Sequence, residues 1–376
     1  MTGSLEPTTA SGACDRCLRR AFLVAHLAPR IAGLLERPAP RVTGLLALPD
    51  EAFVAAAAGE RSDEAWTFLE GLDLESERGG LERASMFAVC RHADGYPALL
   101  HELADPPAVL FGRGRMRALR ALSDEPAVAM VGTRRASPYG TEVAYALGRG
   151  LGAAGVPVVS GLALGIDGTA HRGCLDGGGT PVGVLACGPD VVYPRRHRRL
   201  YERVQAEGIV VSELPPGTPP FRWSFPARNR IMAALARMTV VVEAAEPSGS
   251  LITADFARDL GRAVAAVPGR VTSSFARGTN GLLKDGAVPV TRTEDVLDEL
   301  FGVGVRSAPP LDEETVEPLD PHDSAVLEAA ERFGSVDAIA RELRLSAADA
   351  RAALGRLEAE GYLVRRDLGG WERAAS

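Results

Sequence analysis

AVAMVGTRRASPYGTEVAYALGRGLGAAGVPVVSG, residues 127–161, holds one complete unit of the fold: an apolar run, a glycine turn, an amphipathic stretch and a second apolar run ending in Ser-Gly. Short, largely β-branched runs with no polar alternation read as strands covered on both faces, and a crossover helix between two of them makes them parallel. The same texture begins near residue 87 and continues through PVGVLACG, GIVVSE, MTVVVEAA and AVAAVPG. Helices are expected between these runs over residues 138–153, 167–176, 196–207, 228–236 and 250–260. The fold class that follows is α/β, a doubly wound parallel sheet, whose ligands sit outside the carboxyl ends of the strands.

Different textures flank this core. LRRAFLVAHLA, DEAFVAAAA and DEAWTFLEGL read as short helices, giving a small helical domain over residues 1–85, with the sheet domain over 86–302. Residues 303–320 are rich in proline and acid, have no hydrophobic period and are expected to be a linker. Over residues 321–376, DSAVLEAAERFG, SVDAIARELRL and SAADARAALGRLEAEG form three helical patterns. A two-stranded wing is expected around Gly369 and Gly370, and Ser346 with Asp349 is a capping-box pair. The expectation is a winged helix.

With 376 residues and 46% hydrophobic content, the chain has ample material for a buried core. No run of about eighteen apolar residues suggests a membrane span, and the opening MTGSLEPTTASGACDRC has no apolar signal core, so a cytoplasmic protein with no membrane partner is expected. Five cysteines argue against a disulfide framework and leave reduced thiols or a metal site. The net charge of −7 conceals a basic core: residues 112–300 carry 23 Arg and Lys against 18 Asp and Glu, a net of +5. Lys284 is the sole lysine, and arginine offers a flat fork for phosphate oxygens and a face for stacking.

Small residues follow successive strands. Gly132, Thr133 and Arg134 follow the first core strand, Ser160 and Gly161 the second, and Ser248, Gly249 and Ser250 the fifth. Such turns let backbone approach a ligand, helix N-termini add partial positive charge, and Arg134, Arg228 and Arg230 would supply full charges for phosphate. The turns match neither G-x-G-x-x-G nor a P-loop, which points to holding phosphate without consuming a nucleotide. In PPFRWSFPARNR, Phe221, Trp223 and Phe225 lie among arginines, the combination single-stranded nucleic acid needs for base stacking; rings that plug the core are the alternative. YPRRHRRLYERV, residues 193–204, sets four arginines at a helix start, either a solvated face or a phosphate contact. Asp167 and His171, four apart, read as a cap and a packed histidine rather than an acid–base pair. Cys14 and Cys17 form a C-x2-C knuckle which, with Cys90 and His92, makes the Cys3His set of a possible structural zinc site pinning the helical domain to the sheet.

The order VGTRRASPYG, SGLALGIDGTAH, GIVVSELPPGTPP, FPARNRIMAAL, EAAEPSGSLITADFA and VPGRVTSSFARGTNGLLKDGA closely resembles the DprA family, also called Smf, the bacterial DNA-processing proteins. The resemblance spans residues 87–300. It implies an extended Rossmann-like core, a preceding sterile-alpha-motif-like domain and a following winged helix. It also implies a non-catalytic homodimer requiring no cofactor, which binds single-stranded DNA and loads RecA in natural transformation and recombination. The family's Gly-Ser/Thr-Arg motif falls on Gly132, Thr133 and Arg134, and its basic pocket on Arg228, Asn229 and Arg230. Lysines common around the family's groove are arginines here. The segment 320–376 has 8 Arg against 11 acids, which leaves protein contact and duplex binding both open for it. The alternative is a nucleotide-binding protein or a nucleotide phosphoribohydrolase resembling the Lonely Guy enzymes. Their P-G-G-x-G-T loop, however, reads Pro247-Ser248-Gly249-Ser250-Leu251-Ile252 here, and no glutamate follows in FARDLGR.

Overall fold

The computed structural model describes residues 12–34, 44–308, 321–359, 363–365 and 370–373. The linker expected over 303–320 lies outside them from residue 309 onward, as does Gly369. Chain contacts divide the protein into two compact units, 1–309 and 310–376. The first contains a nine-stranded sheet: β1 Phe87–Cys90, β2 Val109–Gly114, β3 Val128–Val131, β4 Val158–Ser160, β5 Pro181–Val184, β6 Ile209–Ser212, β7 Met238–Val241, β8 Ala263–Ala266 and β9 Val288–Pro289. Its order is β1-β2-β6-β5-β4-β3-β7-β8-β9. The seven strands from β6 to β9 run parallel, whereas β2 joins β6, and β1 joins β2, in antiparallel pairs. The fold is thus the expected extended Rossmann-like sheet with a two-stranded antiparallel edge.

Helices cover both faces, as fully buried strands require. Ahead of the sheet the described residues include α1 Asp15–Leu34, α2 Asp50–Ala58, α3 Ser62–Glu70 and α4 Leu74–Arg83. Around it lie α5 Met116–Asp124, α6 Pro138–Ala153, α7 Ile166–Asp176, α8 Arg198–Glu207, α9 Ser224–Leu235, α10 Gly249–Asp259, α11 Arg277–Lys284 and α12 Thr293–Phe301. Leu147, Leu151, Ile166 and Val296 pack on one face of the sheet, and Leu119, Ile231, Leu235 and Ala254 on the other. α9 starts four residues before the expected 228 because Pro226 lies in its first turn, where proline costs no hydrogen bond. Residues 195–197 form a tight turn ahead of α8 rather than its first turn.

α6 and α7 meet through four glycines. A Cβ on Gly148 would stand 2.4 Å from the Ala170 carbonyl oxygen, and one on Gly152 2.5 Å from that of Cys174; on α7, Gly173 and, just past its end, Gly177 press likewise against Tyr145 and Arg149. The spacing of four on each segment puts each pair on one face, so the backbones touch. This contact runs along the later turns of both helices, while the turn after β3 meets the start of α7 separately, where a Cβ on Gly165 would stand 2.3 Å from the Thr133 carbonyl oxygen. Deeper in the same pair lies His171, fully buried, whose imidazole burial pushes down to about 4. The N-terminal helices pack into the first unit through Leu23, Leu27, Phe53 and Leu69 against Leu214, Trp223 and Ala227.

The second unit comprises α13 Pro321–Arg332, α14 Val336–Glu342, α15 Ala347–Ala359 and an antiparallel pair, β10 Leu363–Arg365 with β11 Trp371–Arg373. Val326, Leu327, Ile339, Leu354, Leu357 and Leu363 form its core. The Ser346 hydroxyl accepts from the Asp349 N–H at 3.1 Å and donates to its carboxylate at 2.6 Å. Among the described residues no helix is long and apolar enough to cross a membrane.

Three predictions follow from this packing. Gly173→Val should cost about 1–3 kcal/mol of stability in urea denaturation by forcing α7 off α6. Gly281→Ala, on α11 with nothing near its Cβ position, should instead be neutral or stabilising by up to about 1 kcal/mol. His171 should make stability fall as pH drops. Below its ordinary value of 6.5 the unfolded chain takes a proton that the folded chain refuses until about 4, a difference of about 3 kcal/mol across that window. In His171→Gln this part of the pH dependence should vanish, whatever the variant's stability at neutral pH.

Candidate functional site

The parallel strands end on one rim, and their order reverses there between β3 and β7. In dinucleotide-binding sheets this crevice takes a pyrophosphate at the N-terminus of the helix after the first strand. Here Glu243, just past β7, occupies it. Ser137 caps α6 by accepting from the Gly140 N–H at 3.1 Å; its own N–H and hydroxyl donate to the Glu243 carboxylate at 2.8 and 2.6 Å. The Thr133 N–H donates to the Glu243 carbonyl at 2.7 Å. A Cβ on Gly140 would lie 2.5 Å from that carboxylate, and one on Gly132 2.5 Å from the Ile166 side chain. Gly132 and the Thr133 N–H, expected to meet phosphate, are therefore committed to internal packing, by the Ile166 side chain and the Glu243 backbone carbonyl, while the Glu243 carboxylate occupies the helix end.

The second turn is also braced from within. The Ser160 hydroxyl, fully buried, donates to the Met130 carbonyl at 2.6 Å and is not available to a ligand. The Gly161 N–H donates to the Asp167 carboxylate at 3.1 Å. Gly161 is small for a specific reason: a Cβ there would lie within 2 Å of the Arg228 guanidinium, at 1.8 Å. That guanidinium donates to the Val184 carbonyl at 2.6 Å and to Asn229 Oδ1 at 3.2 Å, so among the described residues two of its five N–H groups have partners. Burial pulls the Arg228 guanidinium below its ordinary value, and the Asp167 carboxylate opposes that pull. Asn229 is a brace: its amide donates to the Gly249 carbonyl at 3.1 Å, joining α9 to the start of α10.

Arg228 forms the floor of a pocket of about 60 Å³ whose walls are Arg134, Gly161, Leu185, Tyr193 and Phe225. Arg134 is exposed, and its guanidinium lies 4.7 Å from the centre of the Phe225 ring, which Tyr193 meets from another side at 5.7 Å. From Tyr193 and Pro194 the chain runs straight into Arg195, Arg196, Arg198 and Arg199, all exposed. At the third turn Ser248 caps α10, its hydroxyl 2.8 Å from that of Ser250, and Gly249 is exposed with open space where a side chain would be.

Two other expected groups face inward. The Arg230 side chain is 1% exposed and spends all five donors: Asp105 takes the Nε–H at 2.8 Å, Glu213 accepts at 3.1 and 2.8 Å, and the Ala227 and Asp105 carbonyls accept at 2.8 and 3.2 Å. Burial works against this charge, yet Glu213 and Asp105 hold it above its ordinary value. Arg230 therefore has nothing left for phosphate. Trp223 is buried, its indole N–H donating to the Ala28 carbonyl of α1 at 3.0 Å, with half-buried Phe221 stacked beside it in the cluster of the N-terminal helices. Neither ring is placed to stack a base; both act as core plugs. Of the carboxylates that decide these outcomes, Asp105 lies in no motif, and Glu213 and Glu243 lie inside GIVVSELPPGTPP and EAAEPSGSLITADFA, where local sequence assigns them no role. Cys14, Cys17, Cys90 and His92 lie together at the β1 edge of the sheet, their ligand atoms all within 4.8 Å of one another.

The sequence profile of DNA recombination-mediator protein A matches residues 87–301. A DprA protein of Mycobacterium tuberculosis is 44% identical over 248 residues, 65% of this chain and 64% of its own length. The chain thus spans less than two thirds of that relative. The DNA processing protein DprA of Bacillus subtilis is 41% identical over 54% of this chain and 68% of its own. The solved DNA processing protein A of Streptococcus pneumoniae superposes with a TM-score of 0.60 at 31% identity, covering 76% of this chain and 96% of that one. That of Helicobacter pylori, which has a single-stranded DNA binding mode, superposes at 0.51 with 29% identity over 57% and 95%.

Arg230→Ala should cost about 3–5 kcal/mol in denaturant unfolding, because Asp105 and Glu213 would be left buried without a counter-charge. Arg134→Ala, at an exposed ring contact, should cost no more than about 1 kcal/mol.

Proposed function

The chain belongs to the DNA recombination-mediator protein A family, and on that footing we propose that it binds single-stranded DNA along the carboxyl-end rim without altering it chemically. The observation that carries this reading is Arg134, exposed over the Phe225 ring at the mouth of a pocket floored by the partly unpaired Arg228. A phosphate there meets the fork of Arg134 and the remaining donors of Arg228, and Gly161 permits the approach. The Phe225 and Tyr193 rings supply the apolar faces against which a sugar or base can lie. At about 60 Å³ the pocket is far below the several hundred Å³ that enclose a free nucleotide, which suits one phosphate of a longer chain. The Arg195 to Arg199 run extends the positive track, and the open Gly249 at the start of α10 offers a further backbone contact.

Binding of this kind is read through the backbone and is indifferent to sequence. Asp167 and His171 have structural tasks instead: Asp167 braces the Gly161 turn and His171 is buried and neutral. Assembly as a homodimer would place two rims on one strand and multiply effective affinity. Transfer of the coated strand to RecA, in the cytoplasm, completes the proposal and rests on family membership. The single-stranded DNA binding mode of the Helicobacter pylori relative supports the ligand class.

Titration of a labelled oligo-dT by fluorescence anisotropy across a salt series tests the assignment. The wild-type chain should bind it more tightly than duplex, with affinity falling steeply as salt rises. Arg134→Ala should weaken binding several-fold and flatten the slope of log affinity against log salt by about 0.7, the share of one phosphate contact. Equal affinity and equal slope in the variant would remove Arg134, and with it this site, from DNA binding.

A further inference from the structure

We propose that Cys14, Cys17, Cys90 and His92 form a structural zinc site that locks the N-terminal segment onto the edge of the sheet. Cys14 lies just before α1 and Cys17 in its first turn; Cys90 ends edge strand β1, and His92 follows two residues later. The two segments are more than seventy residues apart, yet their four ligand atoms gather within 4.8 Å. The spacing is that of a tetrahedron. Zn–S bonds of about 2.3 Å and Zn–N bonds of about 2.0–2.1 Å, meeting near the tetrahedral angle, put each sulfur about 3.5–3.6 Å from the nitrogen. The Cys14 and Cys17 sulfurs lie 3.5 and 3.4 Å from His92 Nδ1.

Hydrogen bonding does not account for this convergence, since a ring nitrogen has one in-plane site and two sulfurs crowd it. A central cation does. The Cys14 N–H also points at Cys90 Sγ, 3.4 Å away, the kind of backbone donor that steadies a thiolate; the same sulfur is 3.5 Å from the Gly12 carbonyl, a contact that serves the thiol form. Three thiolates and an imidazole are the soft and borderline donors zinc prefers. Each cysteine gives up its proton to solvent as Zn²⁺ binds, and four protein ligands leave no open position, so the role is structural. The remaining cysteines, Cys174 and Cys187, are buried in apolar clusters elsewhere.

The mechanical need is visible at the same place. β1 is an edge strand, and Gly12 makes a single parallel bridge to Val89. Arg78 reaches across to the Ala13 carbonyl at 2.8 Å and to Asp15 at 2.6 Å. A cation held by both segments would lock this short seam and fix the start of α1, whose far half carries the Trp223 contact.

The test uses the full chain, purified under reducing conditions from zinc-supplemented culture and analysed for metals. One equivalent of zinc is expected, and chelation should lower the melting temperature. Because Cys14 and His92 are exposed, Cys14→Ser and His92→Ala should fold, by circular dichroism, yet lose the zinc and the sensitivity to chelator. Cys187→Ala should keep both. Cobalt in place of zinc should show the intense visible bands of tetrahedral thiolate coordination in the wild type and not in His92→Ala. Metal-free wild-type protein, a Cys14 to Cys17 disulfide in its place, stoichiometric iron, or zinc retained by folded Cys14→Ser and His92→Ala would each overturn the proposal.

Discussion

A helix buried on nearly every side must neutralise every charge it carries, and α9 is such a helix with two guanidinium groups on it. Arg228 and Arg230 stand two residues apart, about 200° around the axis, so they point to opposite sides. On one side Asp105 and Glu213 surround Arg230 completely. An unpaired charge in that position would cost several kcal/mol, which sets the rotation of α9 about its axis. With that rotation set, Arg228 is delivered under Gly161, where the protein satisfies only part of its donor capacity among the described residues. The ion cluster around Arg230 is thus what aims Arg228, the arginine of the proposed site, at the rim.

α9 also joins regions distant in sequence. Trp223, at its N-terminal boundary, clamps α1 through the Ala28 carbonyl, and Asn229 holds the start of α10. The N-terminal helices, the sheet and two of the rim turns therefore share one strut.

The crevice where the strand order reverses shows the complementary device. A doubly wound sheet has its strongest anion site at the helix after its central strand, and here the chain fills it with the Glu243 carboxylate. Free nucleotides lose their usual berth, and positive charge is displaced toward Arg134, Arg228 and the arginine run after Pro194. The pocket there measures only about 60 Å³. It fits a polymer better than a small molecule.

Residues 127–161, read alone, determine a strand, a glycine turn, a helix and a parallel strand, because burial on both faces and helical periodicity are properties of neighbours along the chain. The same local information marked Arg134, Gly161 and the Cys14, Cys17, Cys90 and His92 set as candidates. What it could not assign was which arginine stays available: Arg228 and Arg230 share one motif, and Arg230 is taken by Asp105, 125 residues away. Likewise Gly132 was recognisable as a position needing a small residue, but its neighbour proved to be Ile166 rather than a ligand. Strand and helix are decided by local sequence; the partner of each buried charge is decided only when folding brings distant segments together, and that pairing separates the arginine locked among carboxylates from those left open at the rim for the proposed contact.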